Sequence, residues 1–208
     1  MSKSQYLQNY RLRDRDFINE QIAVDLSQAA CFGPNAKFNG CQISISSKSS
    51  QLNFCESLFQ DCLIHFTRKI SKLNFRDAQF INCRFRGILD DCDFGARDSN
   101  AIGEMNNRVL DCDFSEADLR SCRFFNTEVT RIQFPPWPNF TIVDYHSASA
   151  DIRSAEFTNA QYYSEALLRI REPREVATTC FAPDEAKRMG CTVDELKDFF
   201  HGKPYVIS

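Results

Sequence analysis

A chain of 208 residues, 43% of them hydrophobic, is long enough for one sizeable core, and its formal net charge of −3 lacks the basic footprint of a nucleic-acid binder. No run approaches the roughly 18 apolar residues of a membrane-spanning helix. Met1 to Tyr6, followed by Arg11, Arg13 and Arg15, do not read as a secretory signal, so a cytoplasmic location is expected.

Nineteen Phe and ten Cys stand beside one Trp and seven Gly, which calls for an explanation in packing. No two Cys have CxxC spacing, so zinc and thioredoxin-type chemistry lack their usual signature. Phosphate-cradling glycine loops are absent too, and His65, His146 and His201 sit in no catalytic pattern. The sequence therefore predicts no enzyme, no metal and no cofactor.

Residues 1–13 carry no repeat and read as an N-terminal cap. From 14 to 162 a unit recurs at steps of five: a small residue, a polar residue, a large apolar one and two mostly polar ones. Ser57-Leu58-Phe59, Cys62-Leu63-Ile64, Ala117-Asp118-Leu119 and Cys122-Arg123-Phe124 are examples, with Ala150-Asp151-Ile152, Ala155-Glu156-Phe157 and Ala160-Gln161-Tyr162 near the end. A period of five fits neither a helix nor a strand. It fits a chain that turns a corner every five residues, four corners making a coil of about twenty.

Laid out by twenties, the chain gives four predicted columns. The first is Phe17, Phe38, Phe59, Phe80, Ser99, Leu119, Phe140, and the second is Ile22, Ile43, Ile64, Phe85, Glu104, Phe124. A ragged third runs Leu26, Ser47, Ile70, Leu89, Val109, Val129. The fourth is Phe32, Phe54, Phe75, Phe94, Phe114, Phe134. Cys41, Cys62, Cys83 and Cys122 take the small inward position of the second column, and Cys92 and Cys112 that of the fourth. Free Cys behaves there as a small hydrophobe. Cys31, Cys55, Cys180 and Cys191 lie off the pattern.

These quintets resemble the pentapeptide-repeat family, whose consensus is Ala-Asp/Asn-Leu/Phe and two variable residues. Ala117-Asp118-Leu119-Arg120-Ser121 fits it best, and the resemblance covers roughly residues 15–162. It implies an all-β solenoid, a right-handed quadrilateral β-helix of about seven coils spaced ~4.8 Å apart. The Phe- and Cys-rich style is similar to the subgroup of plasmid quinolone-resistance proteins.

Three segments break the pattern. Gly95–Arg108 puts Ser99 and Glu104 at predicted core positions, although Phe94 and Phe114 remain twenty apart. It therefore reads as a degenerate coil or an excursion, with Arg97, Asp98, Asn100, Glu104, Asn106 and Arg108 as candidate partner contacts. Asp90, Asp91, Asp93, Asp111 and Asp113 are expected on adjacent levels of the third and fourth faces. There they form either an ordinary solvated repeat surface or an acidic ladder, interleaved with arginines. Phe134-Pro135-Pro136-Trp137-Pro138-Asn139-Phe140 reads as a rigid bulge, with Trp137 as an anchor or as packing.

Residues 163–208 read as helical. Ser164–Arg171 forms one helix stopped before Pro173. Pro183 opens a second that ends at Gly190, and Thr192 with Glu195 makes a capping box for a third carrying Leu196, Phe199 and Phe200. This tail caps the coil stack or forms a homodimer.

The function expected is a non-catalytic scaffold that binds a protein partner, without direct nucleic-acid or membrane binding. The resemblance adds an alternative, a DNA mimic that binds a type II topoisomerase (DNA gyrase) and protects it from poisons. A third reading is a structural subunit docked through its tail.

Overall fold

The computed structural model describes residues 10–25, 29–75, 77–95, 109–169 and 174–208. It is a mostly-β parallel solenoid with four helices. The solenoid strands are β1 (Tyr10–Leu12), β2 (Asp16–Ile18), β3 (Gln21–Val24), β4 (Ala30–Phe32), β5 (Lys37–Asn39), β6 (Gln42–Ile45), β7 (Leu52–Gln60), β8 (Leu63–Phe66), β9 (Ile70–Ser71), β10 (Asp77–Ile81), β11 (Arg84–Asp90), β12 (Asp93–Gly95), β13 (Val109–Leu110), β14 (Ala117–Arg120) and β15 (Arg123–Phe125). After them come β16 (Asn139–Ile142), α1 (Tyr145–Arg153), α2 (Ala160–Arg169), β17 (Glu175–Phe181), α3 (Ala182–Met189), α4 (Val193–Phe200) and β18 (Val206–Ile207). No helix among the described residues is long and apolar enough to cross a membrane.

Up to Gly95 the predicted columns are in register. Phe17, Phe38, Phe59 and Phe80 pair in sequence, as do Ile22, Ile43, Ile64 and Phe85. Phe32 pairs with Phe54, and Phe75 stacks on Phe94 at 4.7 Å. Register brings like rings together: Phe17–Phe38, Phe38–Phe59 and Phe32–Phe54 are stacked nearly parallel, 4.7, 4.6 and 4.5 Å apart. Such pairs add to the free energy gained by burying the rings.

The corners are stacked as well. Asn19, Asp61, Asn82, Asp91 and Asp111 have positive φ, a conformation that Asn and Asp tolerate better than other residues with a side chain. Their column neighbours are tied by amides: Asp61 donates to the Ile81 carbonyl at 3.0 Å, Asn82 to Leu110 at 2.9 Å and Asp91 to Arg120 at 2.8 Å. Asp91 and Asp111 thus have a backbone reason for their positions.

Past Gly95 the columns shift, which corrects the predicted layout. Phe80 pairs with Val109, not with residue 99, and Leu89 pairs with Leu119. Phe114 stacks on Phe85 at 4.4 Å, and Phe94 pairs with Phe124. Every residue from Val109 to Phe124 therefore lies two columns from its expected place. The step from Phe94 to the next column is fifteen residues instead of five, leaving ten extra between Gly95 and Val109. Ten is two quintets, so the insertion keeps the phase of the repeat while moving the later residues on by two columns.

The cysteines follow the same shift. The Cys41, Cys62, Cys83 and Cys112 thiols donate to the Phe17, Phe38, Phe59 and Phe80 carbonyls at 3.4, 3.4, 3.4 and 3.5 Å. Cys122 instead joins Cys92, donating to Leu89 at 3.3 Å while Cys92 reaches Ile70 at 4.0 Å. The Cys83 thiol, then burial, pushes Cys62 far above the ordinary thiol range, and burial, then the Cys92 thiol, does the same to Cys122. They are inert packing groups.

The end of the chain differs from the quintet reading. Residues 145–153 and 160–169 are α1 and α2, so the quintets at Ala150 and Ala160 are helical and Ala155-Glu156-Phe157 is the link between the helices. Asp144 caps α1 by accepting from the His146 and Ser147 amides, and Ala148, Ser149 and Ile152 are buried along one side. α2 starts four residues before Ser164. The expected features of α3 and α4 are present: Pro183 in the first turn, Gly190 left-handed at the end, and the Thr192–Glu195 capping box.

Strand β17 lies in the segment expected to be helical. It pairs antiparallel with β15 and β16, and β18 continues the sheet. Together they cover the last parallel edge of the solenoid, an edge that would otherwise be open to another chain. Phe140, Ile152, Cys180, Met189, Leu196 and Phe200 form a second core behind it. Residues 1–9 of the expected N-terminal cap lie outside the described residues, and Tyr10–Leu12 is a ladder strand paired with β4.

Candidate partner-binding surface

The predicted acidic ladder is not assembled. Asp90 pairs with Arg120 and Asp93 with Arg123 at the next level, whereas Asp113 lies beside Arg84. The two-column shift carries Asp111 and Asp113 away from Asp90, Asp91 and Asp93.

Each aspartate also has a cation. Lys69 Nζ lies 2.7 Å from Asp90, and Arg123 lies 3.9 Å from Asp91 and 2.8 Å from Asp93. Arg131 holds Asp111 through two bonds, and Arg84 Nε is 3.4 Å from Asp113. Glu116 is held below its usual range by Arg86, and Arg120 grips Asp118 in a fork. Carboxylate and guanidinium therefore alternate along this surface, and their fields largely cancel beyond a Debye length.

Arg97, Asp98, Asn100, Glu104, Asn106 and Arg108 lie outside the described residues, but the points flanking them are fixed. Gly95 ends β12 with φ +83, where an added Cβ would stand 2.0 Å from the Phe125 carbonyl. Val109 re-enters beside Phe80 on β10. The corner between Phe94 and Val109 is thus flanked by described residues on both sides. A hollow of about 300 Å³ opens on that corner, lined by Asn35, Lys37, Glu56, Ser57, Asp77 and Gln79. The Ser57 hydroxyl is buried there with no hydrogen-bond partner among the described residues.

Trp137 lies at a different corner, half-buried between Phe140, 6.1 Å away, and Lys197, whose ammonium is 5.9 Å from its ring. The tail covers one side of it and leaves the other open. A shallow groove of about 390 Å³ runs from it past Pro135, Pro136 and Pro138 to Ile88, with Glu116 and Asp118 at the rim. Ile88 was not singled out from sequence, although a signal existed: it is an apolar residue at the outward, normally polar place of the quintet Gly87-Ile88-Leu89. It is 36% exposed.

No known family model and no curated protein matches the sequence.

Proposed function

We propose that the protein is a non-catalytic, protein-binding scaffold of the pentapeptide-repeat type, a right-handed quadrilateral β-helix of about seven coils. The ten-residue excess between Gly95 and Val109 carries the reading. Elsewhere the chain keeps its five-residue step within a residue or two, and a regular solenoid offers little to distinguish one partner from another. A long departure from the repeat, entered at Gly95 and left at Val109 near a hollow of mixed lining, is where recognition is expected. Trp137 and its proline-lined groove supply a second contact of the kind that anchors interfaces.

In this reading residues 163–208 cap the coil stack. Burial of Leu196 and Phe200 within the same chain supports a cap over a homodimer contact, and mass measurement in solution decides between the two. A cytoplasmic location belongs to the same reading.

The test is cross-linking of the full-length protein to its captured partner, followed by peptide mapping. Cross-links concentrated at residues 96–108 and around Trp137, and lost when residues 97–106 are deleted, support the scaffold. Cross-links confined to the regular strands oppose it. DNA mimicry is the alternative. The paired carboxylates weigh against it, because an imitation of phosphates requires uncompensated negative charge. A supercoiling assay with DNA gyrase, with and without a quinolone, tests it; unchanged gyrase activity over a wide concentration range removes it.

A further inference from the structure

Seven of the ten cysteines are buried, and only Cys31, Cys55 and Cys191 are partly exposed. Two of these three meet. Cys31 on β4 and Cys55 on β7 are 24 residues apart in sequence, yet their sulfurs are 3.6 Å apart. Both flank Asn53, the strand partner of Cys31, whose amide nitrogen is 3.9 Å from each sulfur. We propose that Cys31 and Cys55 are a redox pair that closes a reversible disulfide between β4 and β7.

A disulfide needs its sulfurs about 2.05 Å apart, so they must approach by roughly 1.5 Å. The chain departs from regular strand geometry next to Cys55. Cys55 stands opposite Asp77 and Ser57 opposite Ala78, so Glu56 is an extra residue in β7, with φ 45. Strand β4 is three residues long. By contrast, the cysteines of the two core columns are buried and shielded from reagents.

The oxidant is a low-molecular-weight disulfide such as glutathione disulfide. The first thiolate to form attacks one of its sulfurs, breaking that S–S bond and releasing one glutathione thiolate. The second protein thiolate then attacks the mixed disulfide and releases the other. Two protein thiols lose two electrons and two protons to become one disulfide, and one glutathione disulfide becomes two thiols. The Cys31 thiol donates to the Gly33 carbonyl at 3.4 Å, which leaves its sulfur to accept from Cys55. Burial, then this contact with Cys31, pushes Cys55 up to about 11. Attack by Cys55 therefore accelerates as pH rises. The bond would tie the three-residue β4 to the nine-residue β7 near the first, N-terminal end of the stack, where fraying is easiest.

The experiment uses full-length reduced protein incubated natively with excess glutathione disulfide at pH 8. It is then quenched in acid, denatured, alkylated and digested. The expected result is one linked pair, Cys31 to Cys55, with the other eight cysteines alkylated. Dithiothreitol should reverse it, and the melting temperature should rise by about 5 °C or more. Cys31→Ser and Cys55→Ser should each leave the remaining partner as a glutathione adduct with no link. Glutathione adducts on both wild-type residues without a link, a link to Cys191 instead, or full alkylation of all ten would each overturn the proposal.

Discussion

Phe114 lies face to face with Phe85, their planes within 8° at 4.4 Å, and meets Phe94 only edge-on, at 78° and 5.3 Å. Phe94 and Phe114 are nevertheless twenty residues apart, close to the interval that stacks rings earlier in the chain. The contact shows that the spacing is a coincidence of two quintets inserted into a five-residue repeat.

Phe114 is fully buried between these rings and Phe124. Phe114→Ala should cost about 3–5 kcal/mol of stability by analogy with other core truncations. A double-mutant cycle with Phe85→Ala should show a coupling of about 0.5–1.5 kcal/mol. Chemical denaturation measures both, and additive losses would speak against the stack.

Gly87 turns the corner within β11 at φ +107, and a Cβ there would stand 2.1 Å from the Phe66 carbonyl oxygen. Gly87→Ala combines steric conflict with a disfavoured conformation and should destabilise the protein by about 1–3 kcal/mol. A change within measurement error in urea unfolding would contradict this close approach.

Glu185 on α3 is buried, accepts from Tyr163 Oη at 2.5 Å and faces Arg188 at 2.8 Å. Burial is the largest influence and raises its carboxyl above the ordinary glutamate range, while Tyr163 and Arg188 oppose it. The folded state therefore holds this proton more tightly than the unfolded chain. The stability lost to this group grows as pH rises from the ordinary glutamate value through the raised one. Glu185→Gln keeps an acceptor for Tyr163 without the charge. Relative to wild type it should be more stable at pH 7.5 than at pH 4.5. An equal difference at both pH values would contradict the assignment.

Trp137 is the sole tryptophan, so fluorescence reports on one corner. Half-burial predicts partial quenching by acrylamide in the free protein. Partner binding over the groove should reduce that quenching, and Trp137→Ala should weaken binding by at least tenfold while leaving the fold intact. Quenching unchanged by a saturating partner would place the interface elsewhere.

The sequence made the architecture legible where a large side chain marks every fifth residue and the register is unbroken, as from Phe17 to Phe94. It concealed the two-column shift because an insertion of ten preserves a period of five; only the polar Ser99 and Glu104 at core places betrayed it. The helical quintets misled for a related reason. In α1, Ala148 and Ile152 are buried four apart, and over so short a run helical and five-residue spacing look alike. Strand β17 pairs with residues more than thirty positions away, which no local pattern encodes. Its own run, Val176-Ala177-Thr178-Thr179, did carry the β-branched composition of a strand. Of the candidate surface, Trp137 was legible as a break in the pattern. The ion pairing of the aspartates was not, because it depends on which levels come together.

Thermal unfolding of a variant lacking residues 97–106 tests the central claim most directly. The deletion restores a five-residue step from Phe94 to Val109 and leaves Phe114 over Phe85. The account expects a single cooperative transition within a few degrees of wild type. If residues 95–108 were instead an ordinary part of the coil stack, the deletion would throw every later residue two columns out of register. Loss of the cooperative transition would therefore contradict the account.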